Sequence, residues 1–126
     1  MAVQRLHIQK RYSEIAISGN LVHLAGQLAE DTQQDIEGQT QQTLALIDRL
    51  LADAGTDKSH IMSVMIFLKD IERDYAAMNQ VWDAWVADIQ ALPRTCVEAK
   101  LYHPDVLVEM TVVAVKPEYQ PNVKQM

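Results

Sequence analysis

Apolar positions along the chain alternate between two periods. In EIAISGNLVHLAGQL, residues 14–28, Ile15 and Ile17 alternate with other residues, Gly19-Asn20 interrupts, and LVHLAGQ follows. A period of two on either side of a Gly-Asn pair predicts a hairpin with a tight turn. An earlier short strand fits VQRLHI. From 37 to 54 the period lengthens: Thr40, Leu44, Ile47, Leu51 and Ala54 recur at three- and four-residue steps on one face of a helix. Gly55 stands where a left-handed residue closes such a helix. SVMIFL, 63–68, is a dense apolar run of the kind that fills a central strand. Tyr75, Met78, Trp82, Trp85 and Ile89 predict a second helix over about 74–89, with Asp74 as its cap and Pro93 forbidding continuation. RTCVEAKL and VLVEMTVVAV close the chain as two strands joined by YHPD.

The order β-β-α-β-α-β-β predicts an α+β domain, a single mixed sheet with two helices packed on one face. Strand, helix and strand in succession suggest a crossover unit. One domain over 1–126 accounts for the length. The stretch 116–126, KPEYQPNVKQM, lacks periodicity and reads as an exposed tail.

The two final strands carry the least expected residues. In 94–101, Thr95, Val97, Ala99 and Leu101 share one face, and Arg94, Cys96, Glu98 and Lys100 the other. In 106–115, Val106, Val108, Met110, Val112 and Ala114 share a face, while Leu107, Glu109, Thr111, Val113 and Val115 form a second, still mostly apolar one. Nothing left in the chain covers that second face, so a further copy of the chain is its expected cover. If YHPD closes a hairpin, Glu98 faces Glu109, and Arg94 lies roughly 13 Å further along. Glu109 has apolar neighbours on both sides and needs a cation, donors or a task. Arg94 is open to two readings, a solvated edge cation beside Pro93 or an anion ligand.

Composition narrows the partners. With 11 Lys and Arg against 17 Asp and Glu, the net charge is −6. The basic residues are scattered, which argues against nucleic acid. No apolar run approaches a membrane span, and MAVQRLHIQK lacks the apolar core of a signal peptide. The one cysteine, Cys96, excludes an internal disulfide and fits a reducing, cytoplasmic setting.

PRTCVEAKLYHPDVLVEMTVVAV resembles the C-terminal signature of the Rid/YjgF family of reactive enamine/imine deaminases. NLVHLAGQLAED and VMIFLKDIERDYAAMNQVWDAW resemble two further family stretches, so the similarity spans nearly the whole chain. It implies a chorismate-mutase-like fold, a homotrimer and three clefts between subunits. It also implies that Arg94 binds a substrate carboxylate, that the backbone at Cys96 touches the ligand, and that Glu109 orients the water that hydrolyses an imine formed from 2-aminoacrylate or a similar enamine. Tyr12, Gly26 and Asn79 join the site as substrate-binding positions on the same resemblance. KRYSEI keeps Tyr12-Ser13 but lacks the family's Gly-Pro, Ala25 replaces a serine, and the second helix carries two tryptophans. These departures mark a divergent subgroup.

The chemistry suits the residues. A guanidinium grips a carboxylate through two parallel hydrogen bonds, and a half-dry carboxylate can take a proton from water. No metal or organic cofactor is needed. Histidines 7, 23, 60 and 103 lack metal-ligand spacing, and Cys96 reads as a strand thiol. Gly26 after a strand suits a close backbone approach or a bulge. The alternative function is a trimeric module that binds a small carboxylate without turnover. Ribonuclease activity fits the acidic balance poorly.

Overall fold

The computed structural model describes residues 2–117, and the remainder of the expected tail lies outside the described residues. Three strands come first: β1 (Gln4–Ile8), β2 (Ser13–Ser18) and β3 (Leu21–Gln27). Helix α1 (Ile36–Asp53), a 3₁₀ turn at Lys58–His60 and β4 (Ile61–Leu68) follow. Helix α2 (Ile71–Trp85), β5 (Arg94–Glu98) and β6 (Val108–Val115) complete the domain. They form one six-stranded sheet in the order β1-β2-β3-β6-β4-β5. Only β4 and β5 are parallel neighbours; the other pairs are antiparallel. The expected α+β class and mixed sheet are therefore observed.

Local chemistry explains most boundaries. Gly19, at φ 61°, supplies the left-handed residue of the two-residue turn between Ser18 and Leu21. Helix α1 starts where the Asp35 carboxylate accepts from the Gly38 N–H at 2.9 Å. It gives way to Gly55 at φ 87°. The expected cap of α2 was off by one turn. Asp70, not Asp74, accepts from the Arg73 N–H, while Asp74 lies inside the first turn, buried and held in a fork by the Arg73 guanidinium. An aspartate just before the helix satisfies a free amide that one inside it cannot.

Both helices pack on the face formed by Ile15, Val22, Val64, Ile66, Met110 and Val112, all nearly or fully buried. Leu44, Ile47 and Leu51 of α1 and Met78 and Trp82 of α2 meet them there. Each such side chain contributes about 1.5–3 kcal/mol by leaving water.

The expected terminal hairpin does not form. β4 lies between β5 and β6, with Phe67 paired to Val97 on one side and to Glu109 on the other. The crossover through α2 returns the chain parallel to β4 and seats β5 on its outer edge. β6 must then enter on the other edge, where it pairs along the length of β4 and joins β3. Glu98 consequently does not face Glu109; its carboxylate accepts from the Ile71 N–H at the start of α2.

The nine residues between β5 and β6 are tied down by Gln39, which is fully buried. Its amide nitrogen is shared among the carbonyls of Thr32, Gln34 and Asp105, and its carbonyl accepts from the Leu107 N–H. Replacing Gln39 with leucine keeps the volume and leaves these backbone groups unpaired in the interior. The Gln39→Leu variant should lose about 2–4 kcal/mol of unfolding free energy in urea titration; an unchanged midpoint would show that solvent replaces these bonds.

Candidate functional site

The six residues singled out from the sequence fall into two groups, one on each face of the sheet. Arg94, Asn79 and Cys96 form the first. Arg94 opens β5 on the helix-covered face, in line with Val64 and Val112. Helix α2 receives it with Tyr75, Asn79 and Trp82, spaced at four and three residues and so on one stripe. Arg94 Nη2 donates to Asn79 Oδ1 at 2.7 Å and to the Tyr75 hydroxyl at 3.3 Å. The guanidinium lies over the rings of Trp82 at 5.2 Å and Tyr75 at 5.8 Å, within cation–π range. Nη1 is buried and has no partner among the described residues. Arg94 is therefore not a solvated edge cation: two rings and an amide fix it, with hydrogen-bonding capacity left over.

Cys96 lies on the same face and packs against the core. Burial pushes its thiol up, and nearby Arg94 only partly offsets this, so a nucleophilic role finds no support in its surroundings. Its backbone is better placed. The Val64 N–H bonds to Pro93 O and the Ala99 N–H to Leu68 O. By the alternation of a parallel ladder, Arg94, Cys96 and Glu98 direct their amides and carbonyls to the open edge of the sheet.

Glu109, Gly26 and Tyr12 form the second group. Glu109 leaves β6 on the face opposite Val108 and Met110 and is half-buried. Burial alone raises its carboxyl above the usual glutamate value. Gly26 sits at the irregularity of β3 between Leu24 and Gln27. A Cβ there would collide with Glu109 Oε2, so glycine makes room for the carboxylate. Tyr12, Gly26 and Glu109 line a groove of about 820 Å³. Glu14, Gln27 and Tyr102 line it too, and Gln27 donates to the Glu14 carboxylate at 3.1 Å. Tyr102, on the β5–β6 connection, is 78% exposed. Sequence reasoning missed Tyr75, Glu14 and Tyr102. Tyr75 and Trp82 belong to the helical spacing that predicts α2, and nothing in that spacing marks them as partners of Arg94.

Two strand spacings and three residue rises separate Arg94 from Glu109, roughly 14 Å between Cα atoms, and the sheet stands between their side chains. Within one chain they cannot touch one small ligand. The uncovered face that bears Glu109 also carries Phe67, Val113 and the exposed Met65 and Val97. The second apolar face expected of β6 is thus present, and no helix or strand among the described residues covers it. Among the described residues, no helix is long and apolar enough to cross a membrane.

Fold and site define an α+β domain that carries a clamped guanidinium on one face of its sheet and a half-buried carboxylate on the other. The Endoribonuclease L-PSP family profile matches residues 3–116. A RutC family protein of Haemophilus influenzae is 44% identical over 115 residues, covering 90% of this chain and 98% of that one. The RutC family protein YoaB of Escherichia coli is 40% identical over 114 residues, 90% and 98% of the two chains. The crystal structure of NMB1025, a YjgF family member from Neisseria meningitidis, superposes with a TM-score of 0.89 at 41% identity, covering 94% and 98%. The chain belongs to this family, whose members carry the names L-PSP, RutC and YjgF.

The Glu109–Gly26 contact is testable. Gly26→Ala should drive the carboxylate toward solvent and return its titration toward 4.5, as followed by NMR of the side-chain carboxyl. The same burial sets a pH dependence of stability. A raised folded value favours the protonated form, so this contribution is fully present below 4.5 and is lost as pH rises through the raised value. Glu109→Gln should remove that loss, flattening the fall in stability of the wild-type protein across this window; identical pH–stability curves would refute the assignment.

Proposed function

We propose that the protein hydrolyses reactive enamines and imines derived from amino acids, such as 2-aminoacrylate, to 2-oxo acids and ammonia. The observation that carries this reading is the state of Arg94. A buried donor without a partner costs about 1–3 kcal/mol, so this guanidinium is poorly explained as a stabilising group. Held by Asn79 and two rings, it suits a planar carboxylate. The outward amide of Cys96 offers a further donor along the same edge.

Glu109 supplies the second element. In a partly dry groove its carboxylate can orient a water molecule, take its proton as the water attacks the imine carbon, and return that proton to the departing nitrogen. This addition of water to the imine needs no metal or organic cofactor. Because Arg94 and Glu109 lie on opposite faces of one sheet, one ligand reaches both only if two chains contribute. The uncovered apolar face supports such an assembly, and the resemblance to trimeric family members sets the expected number at three. The charge of −6 and the scattered basic residues speak against RNA as the substrate, despite the family's description.

Three measurements test the proposal. Sedimentation equilibrium should give a trimer at micromolar concentration; a monomer or a stable dimer would remove the shared site. Arg94→Lys should fold normally yet lose calorimetric binding of 2-oxobutyrate, because an ammonium cannot make the planar two-point contact. Glu109→Gln should keep that binding and slow ammonia release from enzymatically generated 2-aminoacrylate by about 10²–10⁴-fold. If binding persists while the wild-type protein releases no ammonia above background, the chain is a carboxylate-binding module instead.

A further inference from the structure

Hydrolysis of an enamine begins with a step that the roles given above to Arg94 and Glu109, carboxylate anchor and water activation, leave open. Water adds to an imine, so the C2=C3 double bond of the enamine must first be protonated at C3. The acid that does this must stand close to the carboxylate anchor, because C3 is only two bonds from the carboxylate carbon.

Tyr75 stands there. Its hydroxyl oxygen accepts from Arg94 Nη2 at 3.3 Å, the neighbour of the nitrogen left for a carboxylate. In that bond the guanidinium is the donor. The phenol's own proton is therefore uncommitted, with no acceptor among the described residues. The side chain is 42% exposed and walls a shallow depression of about 370 Å³ with Ile71 and Glu72. A phenolate left after proton transfer would rest against the guanidinium, a stabilisation that grows as charge develops.

We infer that Tyr75 is the acid that protonates the enamine carbon, an assignment that rests on the deaminase reading above. The C2=C3 electron pair takes the Tyr75 proton to form the C3–H bond, and the nitrogen lone pair forms the C=N bond. Water then adds at C2, and Glu109 takes its proton and passes it to the nitrogen. The C–N bond breaks, ammonia leaves, and the proton shed by the new carbonyl oxygen restores the phenol.

Stereochemistry tests this more sharply than rate. 2-Aminocrotonate, generated from threonine by a dehydratase in D₂O, gives 2-oxobutyrate labelled at C3. Immediate enzymatic reduction of the ketone preserves the label for NMR. Wild-type protein should place deuterium on one face of C3, and Tyr75→Phe should give an even mixture. The turnover of 2-aminocrotonate relative to an imine made directly by an amino-acid oxidase, which needs no C3 protonation, should fall by about 10²-fold in the variant. Calorimetric binding of 2-oxobutyrate should survive in the variant, since Asn79 still holds Arg94. An even label from wild-type protein, or the same facial preference in the variant, overturns the assignment. Loss of 2-oxobutyrate binding in the variant also overturns it, making Tyr75 a positioning residue for Arg94. Wild-type protein that accelerates neither substrate would overturn the deaminase reading itself.

Discussion

The two-residue alternation of β6 governs both the core and the site. Val108, Met110, Val112 and Ala114 point under the helices and are buried, while Glu109, Thr111, Val113 and Val115 point the other way. A shift of one position would put the Glu109 carboxylate beneath the helices and leave four apolar side chains in water. With a penalty of that size, the register of β6 against β3 and β4 is fixed by burial. So is the face on which Glu109 appears.

Arg94 obeys the same rule with the opposite outcome. Its alignment with Val64 and Val112 places it on the helix-covered face, where a cation would be expelled without compensation. Compensation comes from α2, through one carbonyl oxygen, one hydroxyl and two aromatic faces on a single stripe. The position at the sheet edge matters as much, because among the described residues β5 has a neighbour on one side only. A ligand can approach the outward amides of this strand without displacing a ladder bond.

Both half-sites store local cost. An unpartnered guanidinium nitrogen, a desolvated carboxylate and a glycine within a strand each lower stability relative to an apolar filling. The core between α1, α2 and the sheet offsets them, as does Gln39, which satisfies four backbone groups at once. Groups kept at such a cost are commonly functional.

The sequence by itself determined the elements and the chemistry they carry. The hairpin turn at Gly19-Asn20, the span of α1 to within a residue and the closing Gly55 were legible because each depends on a local preference. So was the central strand containing SVMIFL, through its composition. Arg94 and Glu109 stood out as charges in apolar strands, and Asn79, Cys96, Tyr12 and Gly26 through their resemblance to family positions. Tertiary structure alone decided which strands are neighbours. The short YHPD link suggested a hairpin, yet the crossover through α2 put β4 between β5 and β6. It also decided that Arg94 and Glu109 lie on opposite faces, that Asn79 and Tyr75 hold Arg94, and that Gly26 yields space to Glu109. Local preferences act over a few residues. Strand order is set by which pairing buries the most apolar surface once the whole chain has collapsed, a sum that no short window of sequence contains.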